Sequence, residues 1–297
     1  MNKVLLIHNP GAGDETHGKK ELINMLEKKK FEHEYISTEE DDWKKFTPDA
    51  DVIAVAGGDG TVRKVVKQLL KKDLEEMPVT IGLIPLGTAN NISKSLDIDP
   101  KKNNVIKDWD LNNAKSFDIG MVQNIPGSGF FLESFGYGVF PYLMMEMKKR
   151  DDKDELSPEE SIQTALETLY KIILSYDAKK CRLVVDGTDH SGKFILAEIM
   201  NIPSIGPNLA ISPLSDPGDQ EFEVVLVPEQ HKDKFAEYVL GRIKGLDETF
   251  SFHTLKGKNI SISWEGTHVH IDDETVKLEK GAEVDIELRS GFLEFLV

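Results

Sequence analysis

The sequence contains a single cysteine, Cys181, among 297 residues. One cysteine excludes an internal disulfide, and this usage fits a reducing compartment such as the cytoplasm. Cys181 precedes a strand-like run, so we predict a core or sheet-edge position for it and no role in catalysis. Long apolar runs are absent too, since none approaches about 18 residues, and no transmembrane segment is predicted. The first strand pattern begins close to the start of the chain, which predicts no signal peptide.

Positive charge is also scarce in this chain. Lysine and arginine number 36 against 52 aspartates and glutamates, which gives a formal net charge of −16. This balance excludes broad nucleic-acid binding, which needs a basic surface, and it disfavours simple electrostatic adsorption to anionic lipid. The lysine clusters at 28–30, 101–102 and 148–150 are predicted to be solvated helix ends, with a local membrane-facing patch as the alternative.

The first 118 residues alternate between strand and helix patterns. Short apolar runs predict strands at 4–7, 34–36, 52–56 and 79–84. Helical spacing of apolar residues predicts helices near 19–30 and 62–72, and a short one from about 91. Strands that alternate with helices are typical of a parallel sheet with crossover helices, so this part of the chain is predicted to be an α/β domain.

From about Phe117 the pattern changes to a period of two. The predicted strands lie at 182–186, 193–201, 222–227, 259–264 and 268–271. Short strands with glycine, aspartate and proline between them predict an antiparallel β-sandwich. Two helices interrupt it, one from a capping box at Ser157 and Glu160 and one near 231–245.

Two stretches of the second half have other predicted roles. The charged stretch 148–155 is predicted to be a loop. The region 130–147 is rich in phenylalanine, leucine and methionine. It is predicted to be sandwich core, with an acyl-chain groove as the alternative.

Glycine-rich turns follow three of the predicted strands. The run Gly57-Gly58-Asp59-Gly60-Thr61 lies between a strand and a helix, where free N–H groups and the helix dipole favour phosphate. A second turn, Gly87-Thr88, repeats this layout, and a third spans residues 8–14. Turns at the carboxyl ends of neighbouring strands face one crevice, so a phosphate site is predicted there. A carboxylate at Asp59 fits such a site when a metal ion or a ribose hydroxyl lies between it and the phosphate.

The three turns together carry a resemblance to a known family. Asn9-Pro10 with Gly11 and Gly13, then 57–61, then Pro85-Leu86-Gly87-Thr88-Ala89-Asn90 resemble the diacylglycerol kinase catalytic-domain family, which includes bacterial lipid kinases and sphingosine and ceramide kinases. The Gly-Gly-Asp-Gly motif is shared with NAD kinases and phosphofructokinases. The Pro-Leu-Gly-Thr-x-Asn turn is the part that points to lipid kinases.

The resemblance implies a fold and an activity. It implies an NAD kinase- and phosphofructokinase-like α/β domain at 1–118, to which residues 288–297 return, and an antiparallel β-sandwich lipid-substrate domain at 119–287, with the active site in the cleft between them. The implied reaction moves the γ-phosphate of ATP to a lipid hydroxyl, with a diacylglycerol-type substrate and Mg²⁺. The implied setting is lipid and phospholipid metabolism. The protein would be cytoplasmic, peripheral at the inner membrane face, and compatible with a homodimer.

The resemblance also assigns residues to roles. Nucleotide-binding residues are Asn9, Thr38, Gly57, Gly58, Asp59, Gly60, Thr61, Gly87, Thr88 and Asn90. Catalytic residues are Asp59, which helps to place Mg²⁺, and Asp272 or Glu274 as the base, in a hairpin that matches the family's Asp-Gly-Glu. These two carboxylates are expected on the same side of an extended chain, with Asp273 at the family's glycine position in a left-handed turn. A second magnesium is expected on Asp216, Asp219 and the main-chain carbonyl of Glu221.

Several residues depart from the family pattern and leave alternatives open. Asp273 and Gln220 replace glycines, Asn91 replaces an aspartate, and Arg63-Lys64 replaces Asn-Glu. One carboxylate fewer weakens the predicted metal network. Two other functions therefore stay open, an NAD kinase-like activity on a soluble substrate and a nucleotide-binding protein that has lost activity.

Overall fold

The structure, a computed structural model, describes residues 2–12, 18–72, 78–99, 105–127, 129–150, 156–246 and 250–297. Gly13, the lysines at 101–102 and residues 151–155 of the predicted charged loop lie outside this part of the chain. The described residues divide into two compact units, one of residues 1–118 with 290–297 and one of residues 119–289.

The first unit is a parallel sheet with helices between its strands. Its elements are β1 (Lys3–His8), α1 (Lys19–Lys28), β2 (Glu32–Ser37), β3 (Val52–Gly57), α2 (Asp59–Leu70), β4 (Val79–Pro85) and α3 (Asn91–Ser95). The strand order is β2-β1-β3-β4, and all neighbours are parallel. The last residues of the chain extend this sheet, since Leu293 and Phe295 pair with β4 in parallel.

Burial explains why the first unit adopts this arrangement. Every residue of β3 is buried, as expected for a parallel strand that is covered on both faces. The predicted apolar stripe of α2 is buried at Val62, Val65, Val66 and Leu69. The helix differs from the prediction in its start, because Asp59 and Gly60 form its first turn. The carboxyl ends of β1, β3 and β4 therefore meet at one edge of the sheet, followed directly by the glycine turns.

In the described residues, the second unit is built from antiparallel strands and three α-helices. Its elements are β5 (Ala114–Gln123, which begins in the first unit), β6 (Phe130–Phe131), β7 (Ser134–Gly138), α4 (Val139–Lys148), α5 (Pro158–Ser175), β8 (Lys179–Val185), β9 (Thr188–Asp189), β10 (Gly192–Met200), β11 (Ser204–Ile205), β12 (Leu209–Ala210), β13 (Phe222–Pro228), α6 (Lys232–Ile243), β14 (His253–Gly257), β15 (Asn259–Trp264), β16 (His268–Ile271), β17 (Glu274–Lys277) and β18 (Glu283–Leu296, which ends in the first unit). Strand β10 belongs to two sections. One section runs β17-β16-β7-β10-β13-β14, and the other joins β10 to β8, β15 and the first part of β18.

One helix of the second unit was not predicted. Residues 139–148 form α4, although the sequence there, VFPYLMMEMK, has no polar stripe that would give a helical period. Its proline does not prevent the helix, because Pro141 lies in the first turn, where backbone N–H groups have no intrahelical acceptor. The core interpretation of this region holds for its buried members, which include Phe131, Phe135 and Phe140.

Other local predictions agree with the structure. The capping box of Ser157 and Glu160 starts α5, and each side chain bonds the backbone of the other residue. Cys181 is buried in β8, and burial raises the pKa of its thiol to about 12, so it is a packed core residue and no nucleophile. Within the described residues, no helix combines the length and the apolar character that crossing a membrane requires.

Candidate functional site

The glycine turns at 57–61 and 87–88 touch through their backbones. A Cβ on Gly58 would lie 2.9 Å from the Cα of Gly87, and a Cβ on Gly87 would lie 2.6 Å from the Cα of Gly58. The N–H of Leu86 also donates to the carbonyl of Gly57 at 3.0 Å. Any larger side chain would separate the turns, so glycine is required at both positions. The structure therefore brings the two predicted phosphate-binding turns together at the ends of β3 and β4.

The second turn is closed by its own asparagine. Asn90 has a φ of 52°, and its side chain accepts from the N–H of Gly87 at 2.9 Å and donates to the carbonyl of the same residue at 2.6 Å. Asparagine tolerates the left-handed conformation better than most residues because its short side chain bonds locally. Asn90 thus shapes the turn, while Thr88 within the turn is exposed.

Asp59 links the first turn to the helix that follows the second. Its carboxylate accepts from the backbone N–H groups of Asn91, at 2.9 Å, and Ile92, at 3.1 Å. It therefore caps the N-terminus of α3, where a negative charge also complements the helix dipole. No local pattern indicates this contact, because 32 residues separate Asp59 from Asn91.

Three further predicted residues form one hydrogen-bonded group. The amide of Asn9 donates to the hydroxyl of Thr61 at 3.1 Å, and the hydroxyl of Thr38 donates to the Asn9 carbonyl at 3.3 Å. These side chains follow β1, begin α2 and follow β2, so the parallel sheet places them at the same edge as the glycine turns. The group fixes the orientation of the Asn9 amide.

Sequence reasoning did not single out two aromatic groups beside Asn9. The Nδ1 of His8 lies 3.0 Å from the hydroxyl of Tyr35, and the Nζ of Lys19 lies 4.0 Å from the centre of the Tyr35 ring. Burial lowers the pKa of His8, although the charge of Glu39 opposes the effect, so His8 is neutral near pH 7. The one sequence feature that could have indicated them is their position near strand ends. His8 lies one residue before Asn9, and Tyr35 lies three residues before Thr38.

The predicted catalytic hairpin has a different register from the one expected. Ile271 pairs with Glu274 across the hairpin, so Asp272 and Asp273 form a two-residue turn. The carboxylates of Asp272 and Glu274 are therefore not on one side of an extended chain, and that expectation was wrong. The expected left-handed strain at Asp273 was also wrong, because the residue with a positive φ is Asp272, at 49°.

The two candidate bases differ in their surroundings. The carboxylate of Asp272 accepts backbone N–H groups from Leu132, Glu133 and Ser134 at distances of 2.8 to 3.2 Å, and Asp272 is only 9% exposed. These contacts anchor the turn and leave its oxygens little capacity for another proton donor. Glu274 is partly exposed.

The acidic segment before β13 was expected to hold a second magnesium. Asp216 accepts from the N–H of Gly218 at 2.9 Å, and Asp219 accepts from the N–H of Glu221 at 3.0 Å. Gln220, at the family's glycine position, has a φ of 64°, the conformation that favours glycine. The loop therefore keeps the shape that a glycine would give it.

A lysine side chain occupies the position that faces these acids. The Nζ of Lys256 lies 3.0 Å from Asp219 Oδ2, 3.3 Å from Glu221 Oε2 and 3.3 Å from Glu223 Oε1. Its hydrogen bond to Asp219 and the charge of Glu223 raise the pKa of Lys256 despite partial burial, so it stays protonated at neutral pH. Burial raises the pKa of Glu223, which is almost fully buried.

The predicted magnesium set of Asp216, Asp219 and the main-chain carbonyl of Glu221 would share Asp219 with this lysine. The Lys256 ammonium group already contacts the Asp219 carboxylate, and a divalent ion beside it would be repelled. Across the described ranges, no group of three histidine, cysteine, aspartate or glutamate side chains is placed to hold a metal ion. We propose that Lys256, and no metal ion, is the cation that Asp219 binds in this segment.

We expect Asp219→Asn to leave the magnesium dependence of turnover unchanged, because Lys256 supplies the positive charge. Lys256→Met should lower the free energy of unfolding by about 1–3 kcal/mol, since it leaves the buried carboxylate of Glu223 without its partner. Lys193→Met is a matched control, because Lys193 and Glu229 form an exposed pair, and we expect about 0–1 kcal/mol there. Thermal and urea unfolding measure both variants. A magnesium titration shifted by Asp219→Asn would contradict this assignment.

Comparison with known proteins supports the family resemblance. Residues 3–122 match the family model of the diacylglycerol kinase catalytic domain. The protein named "Putative lipid kinase" from Staphylococcus aureus (strain MRSA252) is 26% identical over 258 residues, which cover 85% of this chain and 79% of that protein. A second "Putative lipid kinase", from Staphylococcus aureus (strain Mu3), is 25% identical over the same shares of the two chains.

Solved structures show the same fold. A "putative diacylglycerol kinase from Bacillus anthracis str. Sterne" has a TM-score of 0.75 and 24% identity, and the match covers 99% of this chain and 97% of that one. A second structure of a protein with this name has a TM-score of 0.74 and 23% identity, and the match covers 99% of this chain and 96% of that one. The predicted fold class, an α/β unit with a parallel sheet followed by an antiparallel β unit, is thus confirmed. Residues 3–122 thus match the diacylglycerol kinase catalytic domain, the family that the three glycine turns resemble.

Proposed function

We propose that this protein is an ATP-dependent lipid kinase that transfers the γ-phosphate of ATP to the hydroxyl of a diacylglycerol-type lipid. The observation that carries the proposal is the backbone contact between Gly58 and Gly87 at the ends of two neighbouring parallel strands. Open α/β sheets bind ligands at this edge, and a helix N-terminus next to glycine backbone suits a phosphate chain. The Pro85–Asn90 turn and the family match favour a lipid over a soluble acceptor.

The nucleotide is assigned to the first unit. Gly57, Gly58, Gly60 and Thr61 cradle the phosphates, Gly87, Thr88 and Asn90 form the neighbouring turn, and Asn9 and Thr38 line the nucleotide. Mg²⁺ enters with ATP as part of the substrate and neutralises the charge that develops on the phosphates. Asp59 is the carboxylate of this unit that we assign to orienting that complex.

The proton acceptor is assigned to the hairpin of the second unit. Phosphoryl transfer needs a group that accepts the proton of the attacking hydroxyl. Asp272 and Glu274 both remain candidates, and the contacts of the described residues favour Glu274. Three backbone N–H groups occupy the carboxylate of Asp272 and leave its oxygens little capacity to accept the proton of a substrate hydroxyl.

The proposed setting follows from the proposed substrate. A diacylglycerol-type lipid resides in a membrane, so the protein would act at the inner membrane face while residing in the cytoplasm, in phospholipid biosynthesis. No nucleic acid is proposed as a partner, given the net charge of −16. A homodimer is compatible with this setting.

A turnover assay tests the proposal. Purified protein, Mg²⁺ and γ-labelled ATP are incubated with mixed micelles that contain diacylglycerol, with the same micelles lacking it, and with NAD. We expect label in phosphatidic acid only. Label in NADP would favour the NAD kinase-like alternative, and ATP binding with no labelled product from an extract of total lipid would favour the inactive alternative.

We expect Gly58→Val to abolish nucleotide binding, because the added side chain would meet the backbone of the second glycine turn. Gly18→Ala is the matched control, since a Cβ on Gly18 has no neighbour within 4 Å. Fluorescent ATP analogue binding and thermal unfolding are measured on both. Parental ATP affinity in the valine variant would contradict the assigned phosphate site.

A further inference from the structure

The second unit contains a buried acid–imidazole pair that none of the assigned roles uses. The Nε2 of His270 lies 2.6 Å from the Oε1 of Glu198, and the two side chains are 1% and 0% exposed. Burying two ionisable groups costs several kcal/mol per ion unless they bond each other well. A pair of this kind therefore calls for a reason beyond packing.

The pair is made possible by a glycine. Gly136 in β7 pairs with Glu198 in β10 on one side and with His270 in β16 on the other. The two outer backbones lie about 10 Å apart, because neighbouring strands are about 4.8 Å apart. The side chains meet across the space above Gly136, where a Cβ would lie 2.0 Å from Glu198 Oε2. Three neighbouring strands thus place Glu198, the side-chain-free Gly136 and His270 side by side in register.

The second nitrogen of His270 connects the pair to the hairpin. Its Nδ1 lies 3.1 Å from the backbone carbonyl of Asp272. A carbonyl oxygen only accepts, so Nδ1 carries a proton, and a further proton is shared between Nε2 and Glu198. Burial alone would lower the pKa of His270, but Glu198 and the Asp272 carbonyl outweigh it and raise this pKa.

The turn is therefore held from both sides. His270 donates to the carbonyl of Asp272, while the carboxylate of Asp272 accepts from the N–H groups of Leu132, Glu133 and Ser134. The N–H of Asp272 in turn donates to the carbonyl of Ser134 at 2.9 Å. All three polar parts of this residue are fixed.

We propose that Glu198 and His270 are positioning residues that hold the 271–274 hairpin, and with it the carboxylate of Glu274, in the geometry the reaction needs. Glu198 orients the imidazole, and the imidazole fixes the first residue of the turn. The part that concerns turnover rests on the proposed function. The part that concerns the hairpin stands independently of it.

A hydrophobic double variant separates positioning from packing. Buried ion pairs are often replaced by apolar side chains of similar volume without loss of stability. The ring of Phe140 lies 6.3 Å from the ring of His270, so an aromatic side chain at 270 has an apolar neighbour. We expect Glu198→Met with His270→Phe to keep the thermal midpoint and the KM for ATP. We expect it to lower kcat about tenfold or more, since small displacements of a reacting group have effects of this size.

Hydrogen exchange provides the readout that does not depend on activity. Peptides that cover 268–277 should exchange faster in the double variant than in the parent, while peptides of β15 should be unchanged. A folded double variant with parental exchange and parental kcat would overturn the proposal. If Glu274→Gln itself leaves kcat unchanged, the assigned base is wrong, whereas faster exchange in the double variant still supports the positioning role.

A comparison of Glu198→Gln with Glu198→Ala tests the proposal even if the double variant does not fold. A glutamine at 198 can donate an N–H to Nε2, so Glu198→Gln should keep the slow exchange of the hairpin and most of kcat. Glu198→Ala removes the bond and should show fast exchange and reduced kcat. Equal exchange and equal kcat in these two variants would show that the contact has no positioning role.

Discussion

Glu274→Gln should lower kcat for lipid phosphorylation by a factor of at least about ten, and up to about 10⁴, without changing the thermal midpoint. A general base typically contributes this much, and Glu274 is a partly exposed residue at the first position of β17. The KM for ATP should change little, because the hairpin is outside the glycine turns. Steady-state kinetics with diacylglycerol micelles and thermal unfolding measure both effects.

Asp272→Asn should also lower kcat by about tenfold or more, because its carboxylate anchors the turn that carries Glu274, and it should reduce stability as well. Its carboxylate accepts three backbone N–H groups, and hydrogen bonds to a charged group contribute about 1.5–3 kcal/mol each. The asparagine amide keeps one acceptor and turns a donor toward these N–H groups. A reduced thermal midpoint should therefore accompany the kinetic effect.

Asp273→Ala is the matched control within the same turn, and we expect a small effect on both quantities. If it is the most damaging of the three changes, the alignment to Asp-Gly-Glu is shifted by one residue. If all three variants turn over lipid like the parent, the hairpin is structural and the base lies elsewhere.

Local signals explain which parts of the fold could be predicted. The apolar run before Gly57 and the helical spacing after Thr61 are contiguous in sequence, so β3 and α2 were located to within a few residues. The capping box at Ser157 is equally local. Helix α4 has no such signal, because its own apolar residues are distributed over all of its faces. The residue before it is Gly138, with a φ of 108°, and no side chain caps the helix there.

The candidate site was predictable only where its residues belong to a turn. The glycine turns were predicted because each one is a contiguous motif in the sequence. A hydrogen bond between side chains that are distant along the chain leaves no such motif. Lys256 was missed because it reaches Asp219 from β14, 37 residues further along the chain. The same holds for Glu198 and His270, whose meeting depends on strand order and on Gly136 between them. The motif with oxygen ligands predicts a metal, and the structure places the Lys256 ammonium group beside one of these ligands, Asp219.

Asp59 shows how a contact changes a prediction. The sequence shows no core contact for Asp59 and so predicts that its removal leaves the fold intact. In the structure its carboxylate caps α3 through Asn91 and Ile92. Loss of such a cap costs about 0.5–2 kcal/mol, so Asp59→Ala should affect stability as well as turnover.

We expect Asp59→Asn to separate these two roles. The asparagine oxygen can still accept from one of the two N–H groups, so most of the stability should return. The negative charge that orients magnesium-bound ATP is lost, however, and kcat should fall by about 10²-fold or more, as when other electrostatic groups are removed from active sites. Asp59→Ala should be equally inactive and less stable.

Asp186→Asn is the control for the capping effect. Asp186 accepts from the backbone N–H groups of Lys258 and Asn259 in the second unit, at 2.9 to 3.3 Å, and is not a predicted site residue. This variant should lose stability to a similar degree as Asp59→Asn and keep the parental kcat. The comparison removes instability as an explanation for lost turnover. If Asp59→Asn retains parental kcat while its thermal midpoint falls, Asp59 only caps α3 and another group must orient the phosphates.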